Sequence, residues 1–295
     1  MPKPVFLMMP EWQGSASSRA MQIAEGAEVL REDLPASATR EVPVPLEAGD
    51  AMGTPVARLS SLLQARDAAL RAISEAGDAP AVILGGDCAS SLPGLEAAVR
   101  AHGADRLAVL WFDAHPDLQH PSTSPSGAAS GMTLRHALGE GSPDLASATP
   151  IDAGLLTLVG ARAIDPEEDV EIERRGVHVL DPVSIAGVTD PEQHPDPDAL
   201  ATAVSDRLAA SDAAAVYVHV DLDVLDPAEF SAVHDAVPFG ITVAQLTAAI
   251  RAAVTTLPLA GAAVCEFAPS SATAAAEDLP TVLRVLAALT SGARR

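Results

Sequence analysis

This chain of 295 residues has few aromatic, cysteine and basic residues. Phe, Trp and Tyr make up only 3% of it, so aliphatic side chains and alanine must fill its core. Two cysteines are too few for a disulfide framework, which fits a reducing compartment and predicts a cytoplasmic protein. Lysine and arginine total 18 against 40 acidic residues, and the net charge of −22 weighs against nucleic acids or anionic membranes as partners.

Long apolar runs are also missing. No stretch reaches about 18 apolar residues, so we expect no membrane span. The apolar run that follows Met1 is too short for a persuasive signal peptide. The content of 48% hydrophobic residues and the mean hydropathy of +0.21 still favour a globular chain with a large core.

Apolar segments of strand length recur along the chain, with helical segments between them. Leu107 to Phe112 shows no alternation of apolar and polar residues, as expected for a parallel strand covered by helices on both faces. We therefore predict an α/β fold, a three-layer α/β/α domain spanning residues 1–295 with a mainly parallel sheet. The other predicted strands are Pro4 to Met9, Ala81 to Leu84, Leu155 to Val159, Val177 to Leu180, Ala214 to Val220 and Leu259 to Cys265.

Helices are predicted between these strands. Leu34 to Pro55 is rich in Pro, Ala, Glu and Gly and is predicted to be a surface connection. The predicted helices are Ser18 to Arg31, Val56 to Ala76, Ile241 to Val254, Ala272 to Leu289 and the end of the region 195–210.

Acidic residues follow two of the predicted strands. Asp113, His115 and Asp117 come directly after Leu107 to Phe112, and Asp221 and Asp223 end the strand from Ala214, where alternation places both on one face. Ligands of open α/β sheets bind beyond the carboxyl ends of the strands, so these residues form a candidate site. Capping of the next helix by an Asp and a His is the alternative.

Carboxylates that converge at neighbouring strand ends repel one another unless protons or cations intervene. A pair of divalent cations is the simpler solution. Carboxylate oxygens with an imidazole suit Mn²⁺ or Mg²⁺ better than thiolate-rich sets do, and two such cations can activate a water as a nucleophile.

Four sequence segments resemble the motifs of the ureohydrolase family of arginases, agmatinases and formimidoylglutamases, which are two-manganese hydrolases. DAHPD at 113–117 is similar to the family's DAHxD, and VHVDLDVLDP at 218–227 to its SxDxDxxDP, with His219 in place of Ser. GGDCAS at 85–90 resembles GGDHS, and SPSGAASGMTL at 124–134 resembles SGNxHGxP. The resemblance extends from about Gly85 to Pro269.

The resemblance implies an arginase-like fold, a homo-oligomer, and hydrolysis of a C–N bond in a small guanidino or amidine substrate. Asp113 and Asp221 would bridge two Mn²⁺. Cys88 and Asp117 would complete one metal position, and His115 and Asp223 the other. Glu266 would hold the cationic group through two parallel hydrogen bonds, unless it is a surface residue that begins a loop.

Two positions depart from the family motifs. Cys88 stands where the family has a metal-binding His, and could be a thiolate ligand, a weak ligand or a buried filler. Ser130 stands where the family has a His that is thought to shuttle protons during catalysis. His136 is close in sequence to Ser130, but we expect it to have a surface or packing role.

Substrate-binding residues are also implied by the resemblance. Gln119, Ser124 and Ser126 match positions that hold the amino-acid end of arginine, whereas Ala128 replaces an Asn. Asp165 and Glu168 match residues that receive its α-amino group. Asp165 followed by Pro166 also predicts a helix start, with Asp165 as the N-cap, and both roles are compatible.

Two other functions stay open. One is an enzyme for an N-hydroxyguanidine or formimidoyl compound, which the changes at Cys88 and Ser130 make plausible. The other is a non-catalytic protein that keeps the fold. Retention of Glu266 favours an enzyme, since a structural role would not need it.

Overall fold

The computed structural model describes residues 3–185 and 196–294, so residues 1–2, 186–195 and 295 of the predicted domain lie outside the described residues. Its eight strands form one sheet. The strands are β1 (Val5–Met8), β2 (Thr39–Glu41), β3 (Ala81–Leu84), β4 (Leu107–Phe112), β5 (Leu156–Val159), β6 (His178–Leu180), β7 (Ala215–Asp221) and β8 (Leu259–Cys265). Their order is β2-β1-β3-β8-β7-β4-β5-β6, and all neighbours are parallel.

Helices cover both faces of this sheet, which confirms the predicted three-layer α/β/α architecture. The helices are α1 (Met21–Arg31), α2 (Leu59–Ala76), α3 (Leu92–His102), α4 (Thr133–Ala137), α5 (Pro166–Arg175), α6 (Pro182–Ile185), α7 (Pro197–Ala209), α8 (Val243–Thr256) and α9 (Ala272–Leu289). One hydrophobic cluster joins the sheet to α1, α7, α8 and α9, and a second joins it to α2, α3, α4 and α5. In the described residues, no helix is long and apolar enough to cross a bilayer.

Strand β7 shows how the sheet separates the two layers. All of its residues are buried. Val216, Val218 and Val220 pack in the first cluster, whereas Ala215 and Tyr217 pack in the second, because successive side chains of a strand point to opposite faces. Aliphatic side chains and alanine make up most of both clusters, as the scarcity of aromatic residues predicts.

The prediction for Leu34 to Pro55 was wrong in one respect. Thr39–Glu41 forms β2, which pairs with β1 at the edge of the sheet. Its residues are polar and partly exposed, because an edge strand has a single neighbour, so the segment carries no apolar signal.

Several helix boundaries differ from the prediction by a few residues. Helix α7 begins at Pro197, and residue 195 of its predicted region lies outside the described residues.

Strands β3, β8, β7 and β4 are consecutive neighbours at the centre of the sheet. Cys88, Glu266 and Asp113 follow the carboxyl ends of β3, β8 and β4, and Asp221 is the last residue of β7. The expectation that the strands carrying the motifs share one sheet is therefore confirmed.

Candidate active site

A cleft of about 940 Å³ opens beyond the carboxyl ends of these central strands. Asp113 lies below it, 1% exposed, in contact with His115. Ser124 is not part of the cleft lining, and its hydroxyl accepts a hydrogen bond from the backbone of Gly127. The predicted site residues that line the cleft are Cys88, His115, Asp117, Gln119, Ser126, Ser130, Asp165, Glu168, Asp221, Asp223 and Glu266.

The turn after β4 brings Asp113 and His115 together. Asp113 Oδ1 accepts a hydrogen bond from the His115 backbone at 2.7 Å, and Asp113 Oδ2 accepts one from Trp111 Nε1 at 3.0 Å. His115 Nδ1 lies 3.0 Å from Asp223 Oδ2 and 3.4 Å from Asp113 Oδ1. Burial alone would lower the pKa of His115, but its hydrogen bonds to Asp113 and Asp223 outweigh burial and raise that pKa.

The segment after β7 positions two more carboxylates. The strand ends at Asp221, and Asp223 lies in a short 3-10 helix, Leu222–Val224, so strand alternation was the wrong reason to place both on one face. Asp221 Oδ1 accepts from Asp223 N at 2.8 Å, and Asp223 Oδ1 accepts from Ala114 N at 3.0 Å. The Cys88 thiol donates to Asp221 Oδ2 at 3.0 Å. Both carboxylates therefore still reach the cleft.

Asp117 and Glu266 both have a left-handed backbone conformation, with φ angles of 52° and 64°, respectively. This conformation costs a non-glycine residue about 1–3 kcal/mol, and such strain clusters at functional sites. The Asp117 carbonyl accepts from Leu134 N and Arg135 N, which hold the turn in place. Its carboxylate is buried, and within the described part of the chain Oδ2 has no hydrogen-bond partner. The atom is thus free to bind a cation.

Burial shifts the proton affinities of this site. It raises the pKa of Asp113 to about 7, with a further contribution from Asp223. It also raises the pKa values of Asp117 and Asp221 well above the ordinary range, and neighbouring carboxylates add to the shift. The pKa of Glu266 is raised by burial and by Asp87. The charge of His115 lowers several of these pKa values but does not offset the burial, and divalent cations would supply further positive charge.

Three groups of side chains place their ligand atoms within 4.8 Å of one another: Asp113, His115 and Asp223; Cys88, Asp221 and Glu266; and Cys88, Asp113 and His219. Carboxylate, imidazole and thiol groups in such clusters fit divalent cations. The sequence analysis did not identify His219 as a candidate ligand. The imidazole in place of the family's serine is visible in the sequence, but Cys88 and Asp113, which lie near His219 in the fold, are far from it in the chain.

Asp165 and Glu168 form the start of α5 beside the cleft. Asp165 is the N-cap, Pro166 opens the helix, and Asp165 and Glu168 form a capping box, as the capping alternative predicted. Glu168 accepts hydrogen bonds from Leu118 N at 2.9 Å and Asp165 N at 3.1 Å. Gln119 Nε2 donates to Asp165 Oδ2 at 3.2 Å. The substrate-binding roles of these side chains stay a prediction.

Arg162, His234 and Asp235 also line the cleft, although the sequence analysis assigned them no role. Asp235 Oδ2 lies 3.5 Å from His115 Nε2. The Arg162 guanidinium donates hydrogen bonds to the carbonyl of Asp223 at 2.9 Å and to that of Val237 at 2.8 Å. It therefore connects the loop that carries His234 to the segment that carries Asp223. No motif marks these residues, since their roles depend on how the loop folds back.

His136 does not lie on the surface, so that alternative was wrong. It is 1% exposed on α4, and its Nε2 accepts a hydrogen bond from Ser142 N. Burial lowers its pKa to about 4, with a smaller contribution from Arg66. This residue packs within the protein, as the other alternative predicted.

Comparisons with known proteins agree with this geometry. The model of the arginase family matches residues 13–288. The chain is 32% identical over 228 residues to an N(omega)-hydroxy-L-arginine amidinohydrolase from Streptomyces lavendulae, covering 77% of this chain and 74% of the relative. It is also 32% identical over 167 residues to the arginase of Bacillus subtilis, covering 55% of this chain and 52% of the relative.

Solved structures share the fold. The arginase of Entamoeba histolytica, crystallised with L-ornithine, has a TM-score of 0.82 at 21% identity and covers 98% of this chain and 99% of its own. The formimidoylglutamase of Bacillus subtilis has a TM-score of 0.76 at 18% identity and covers 99% and 87%, respectively. The chain belongs to the arginase family, whose hydrolases cleave C–N bonds in guanidino and amidine compounds.

Proposed function

We propose that this protein hydrolyses a C–N bond in the guanidino group of an arginine-related compound, with two Mn²⁺ bound at the base of the cleft. The convergence of buried carboxylates with His115 at neighbouring strand ends supports the proposal most strongly. In it, Asp113 and Asp221 would hold both cations. Cys88 and Asp117 would help to hold one of them, and His115 and Asp223 the other.

The side chains and the cations have distinct tasks in this proposal. When bound, divalent cations supply Lewis acidity, which activates water near neutral pH. Glu266 orients the substrate by accepting two parallel hydrogen bonds from its cationic group. Because Glu266 is partly buried and burial raises its pKa, a guanidinium would provide the positive charge that favours the ionised carboxylate. Gln119, Ser126, Asp165 and Glu168 hold the remainder of the substrate, whereas Ser124, which does not line the cleft, supports the loop through Gly127.

N-hydroxyguanidines are a second candidate substrate class. The similarity to an N(omega)-hydroxy-L-arginine amidinohydrolase supports this class. A formimidoyl compound is the next alternative.

We also propose that the protein is a homo-oligomer in the cytoplasm, which binds small molecules rather than nucleic acids. The family resemblance supports the oligomer, and light scattering during gel filtration tests it. Two free, buried cysteines fit a reducing compartment. The net charge of −22 opposes binding to nucleic acids.

The proposed reaction can be tested with a substrate screen. Protein stripped of metal and reloaded with Mn²⁺ is incubated with arginine, N-hydroxyarginine, other guanidino compounds and formimidoylglutamate, and release of urea, hydroxyurea, amine or formamide is measured. Turnover of at least one compound is expected. Asp113→Asn and Asp221→Asn should each lower it more than about 100-fold, since even residues that merely support ligands contribute about 10–100-fold.

Asp105→Asn is the matched control, because Asp105 is an exposed carboxylate before the amino end of β4. It should keep full activity. Unchanged turnover in Asp113→Asn and Asp221→Asn would contradict the two-metal site. Metal-loaded protein that turns over none of the compounds would instead support a non-catalytic member of the family.

A further inference from the structure

His219 is a fully buried histidine in the middle of the sheet. It lies on β7, 0% exposed, and pairs in register with Trp111 of β4 on one side and Ala263 of β8 on the other. Its ring stacks on Trp111, with ring centroids 3.4 Å apart and planes 7° apart. Stacking on Trp111 therefore fixes the plane of the ring.

The two ring nitrogens of His219 have unequal surroundings. Nδ1 lies 2.6 Å from Ser91 Oγ, a hydrogen-bond distance. Nε2 has no hydrogen-bond partner among the residues that the structure describes. A buried polar atom left unpaired destabilises the fold, so such an atom calls for a specific explanation.

His219 lies close to two other candidate ligands. The ligand atoms of His219, Cys88 and Asp113 all lie within 4.8 Å of one another. Ligands bound at about 2.0–2.3 Å from one cation are separated by at most about 4.6 Å, so this trio is close to the spacing that a metal ion needs. Trp111 Nε1 donates to Asp113 Oδ2 at 3.0 Å, so Trp111 orients both His219 and Asp113.

We propose that His219 Nε2 is a metal ligand that forms, with Cys88 Sγ and Asp113, a nitrogen–sulfur–oxygen position selective for a borderline-soft cation such as Zn²⁺ or Co²⁺. Thiolate and imidazole ligands favour such cations over Mn²⁺. The neighbouring group of Asp113, His115 and Asp223 is dominated by carboxylates and suits Mn²⁺. The two positions of the cleft are therefore unequal.

Ser91 has a defined part in this proposal. A metal-binding histidine usually donates its other ring N–H to a nearby acceptor, which fixes the tautomer and the ring orientation. Ser91 Oγ is such an acceptor for Nδ1, which leaves Nε2 as the ring nitrogen available to a cation. Ser91 is itself 0% exposed, so water does not compete for this hydrogen bond.

Cobalt titration tests the proposal. It rests on the proposed metal site but not on the proposed reaction, so the measurement uses binding rather than activity. Metal-free protein is titrated with Co²⁺, and the near-ultraviolet charge-transfer band of a cobalt–thiolate bond is recorded together with the stoichiometry. Wild type should show the band, and Cys88→Ser should lose it. His219→Gln should bind Co²⁺ at this position at least about tenfold more weakly.

His136→Gln is the matched control, because His136 is also a buried histidine but its Nε2 is already paired with Ser142 N. It should leave the cobalt spectrum and affinity unchanged. A His219→Gln protein with wild-type spectrum, affinity and stoichiometry would overturn the proposal. If neither position binds Co²⁺ or Mn²⁺, the metal site of the proposed function fails as well. Binding of cobalt without the thiolate band would overturn the proposed nitrogen–sulfur–oxygen position but would not contradict the proposed function.

If the His219→Gln variant does not fold, a measurement on the wild-type protein tests the same proposal. Protein labelled with ¹⁵N in its histidine rings is saturated with Zn²⁺, and metal-bound ring nitrogens are identified by NMR. His115 and His219 should both be metal-bound. A metal-free His219 Nε2 in the saturated protein would overturn the proposal.

Discussion

Ser130 lines the cleft, and its backbone is held by Gly14, whose carbonyl accepts from Ser130 N at 3.1 Å. A serine hydroxyl is a far weaker acid than an imidazolium at neutral pH. General acid catalysis typically contributes about 10²–10⁴-fold to a reaction rate. Protonation of a basic leaving amine should therefore be slow in this cleft, whereas a less basic leaving nitrogen depends less on the missing acid.

We predict that wild type hydrolyses arginine well below the typical enzyme turnover of about 10 s⁻¹. Ser130→His should raise arginine turnover by about 10²-fold, since it restores an imidazole at the position. Urea release at saturating arginine and Mn²⁺ measures both. Ser18→His is the control, because Ser18 is an exposed serine that also lines the cleft but has no part in the proposed site. Rapid arginine hydrolysis by wild type would rule out this explanation.

The sequence predicted the side chains that directly follow strands much better than those whose roles depend on packing. Asp113 and Asp221 could be identified because the carboxyl end of a strand already fixes where they lie. His219 lies inside a strand, and its link to Ser91 and Trp111 joins residues far apart in the chain. One sequence without its fold shows no such pairings.

The start of helix α5 shows how one element serves both stability and the cleft. Glu168 is 4% exposed, and its carboxylate accepts from Leu118 N and Asp165 N. It thereby joins the helix to the loop after Asp117, which carries several of the predicted substrate contacts. Removing this side chain would leave two backbone donors without their acceptor.

We predict that Glu168→Ala lowers the free energy of unfolding by about 1–3 kcal/mol, the usual cost of unpaired buried polar groups. Glu167→Ala is the control, because Glu167 is exposed in the same first turn, and its effect should stay within about 0.5 kcal/mol. Urea denaturation of the metal-free proteins measures both. Equal stabilities for the two variants would show that the hydrogen bonds of Glu168 do not support the fold.

Among the secondary-structure elements, the more deeply buried strands were predicted more accurately from the sequence. Strand β4, buried at every residue, was predicted with its exact bounds, whereas β2 was missed. The reason is physical, since a fully covered parallel strand needs a continuous apolar run, whereas an edge strand can be polar. Backbone pairing with β1 defines β2, and a sequence pattern does not display it.

At the scale of the whole molecule, buried acidic side chains are concentrated at one end of the sheet. Strands β3, β8, β7 and β4 all direct their carboxyl ends at the cleft. Burial raises the pKa of Asp113 to about 7 and those of Asp117 and Asp221 further above their ordinary range. In the unfolded chain the same groups titrate near pH 4. The metal-free fold therefore keeps protons that the unfolded chain has released.

This difference in bound protons sets the pH dependence of stability. A carboxyl group whose pKa is raised by folding stabilises the fold below its unfolded pKa, and that contribution is lost as the pH rises towards the folded pKa. His115, whose pKa is also raised, acts in the same direction above pH 6.5 or so. His136, with its pKa lowered to about 4, acts in the opposite direction, but chiefly below pH 6.5 or so.

We predict that the melting temperature of the metal-free protein falls as the pH rises from about 6.5 to about 8, where the effects of the raised pKa values dominate. Each proton that the fold retains in excess lowers the free energy of unfolding by about 1.4 kcal/mol per pH unit. Saturating Mn²⁺ should remove or reverse the trend, because cations bind the ionised ligands and displace their protons. Calorimetry with and without a chelator measures both trends. A metal-free protein whose stability rises over this range would mean that the cleft carboxylates ionise without a cation, which would remove the electrostatic reason for a metal site.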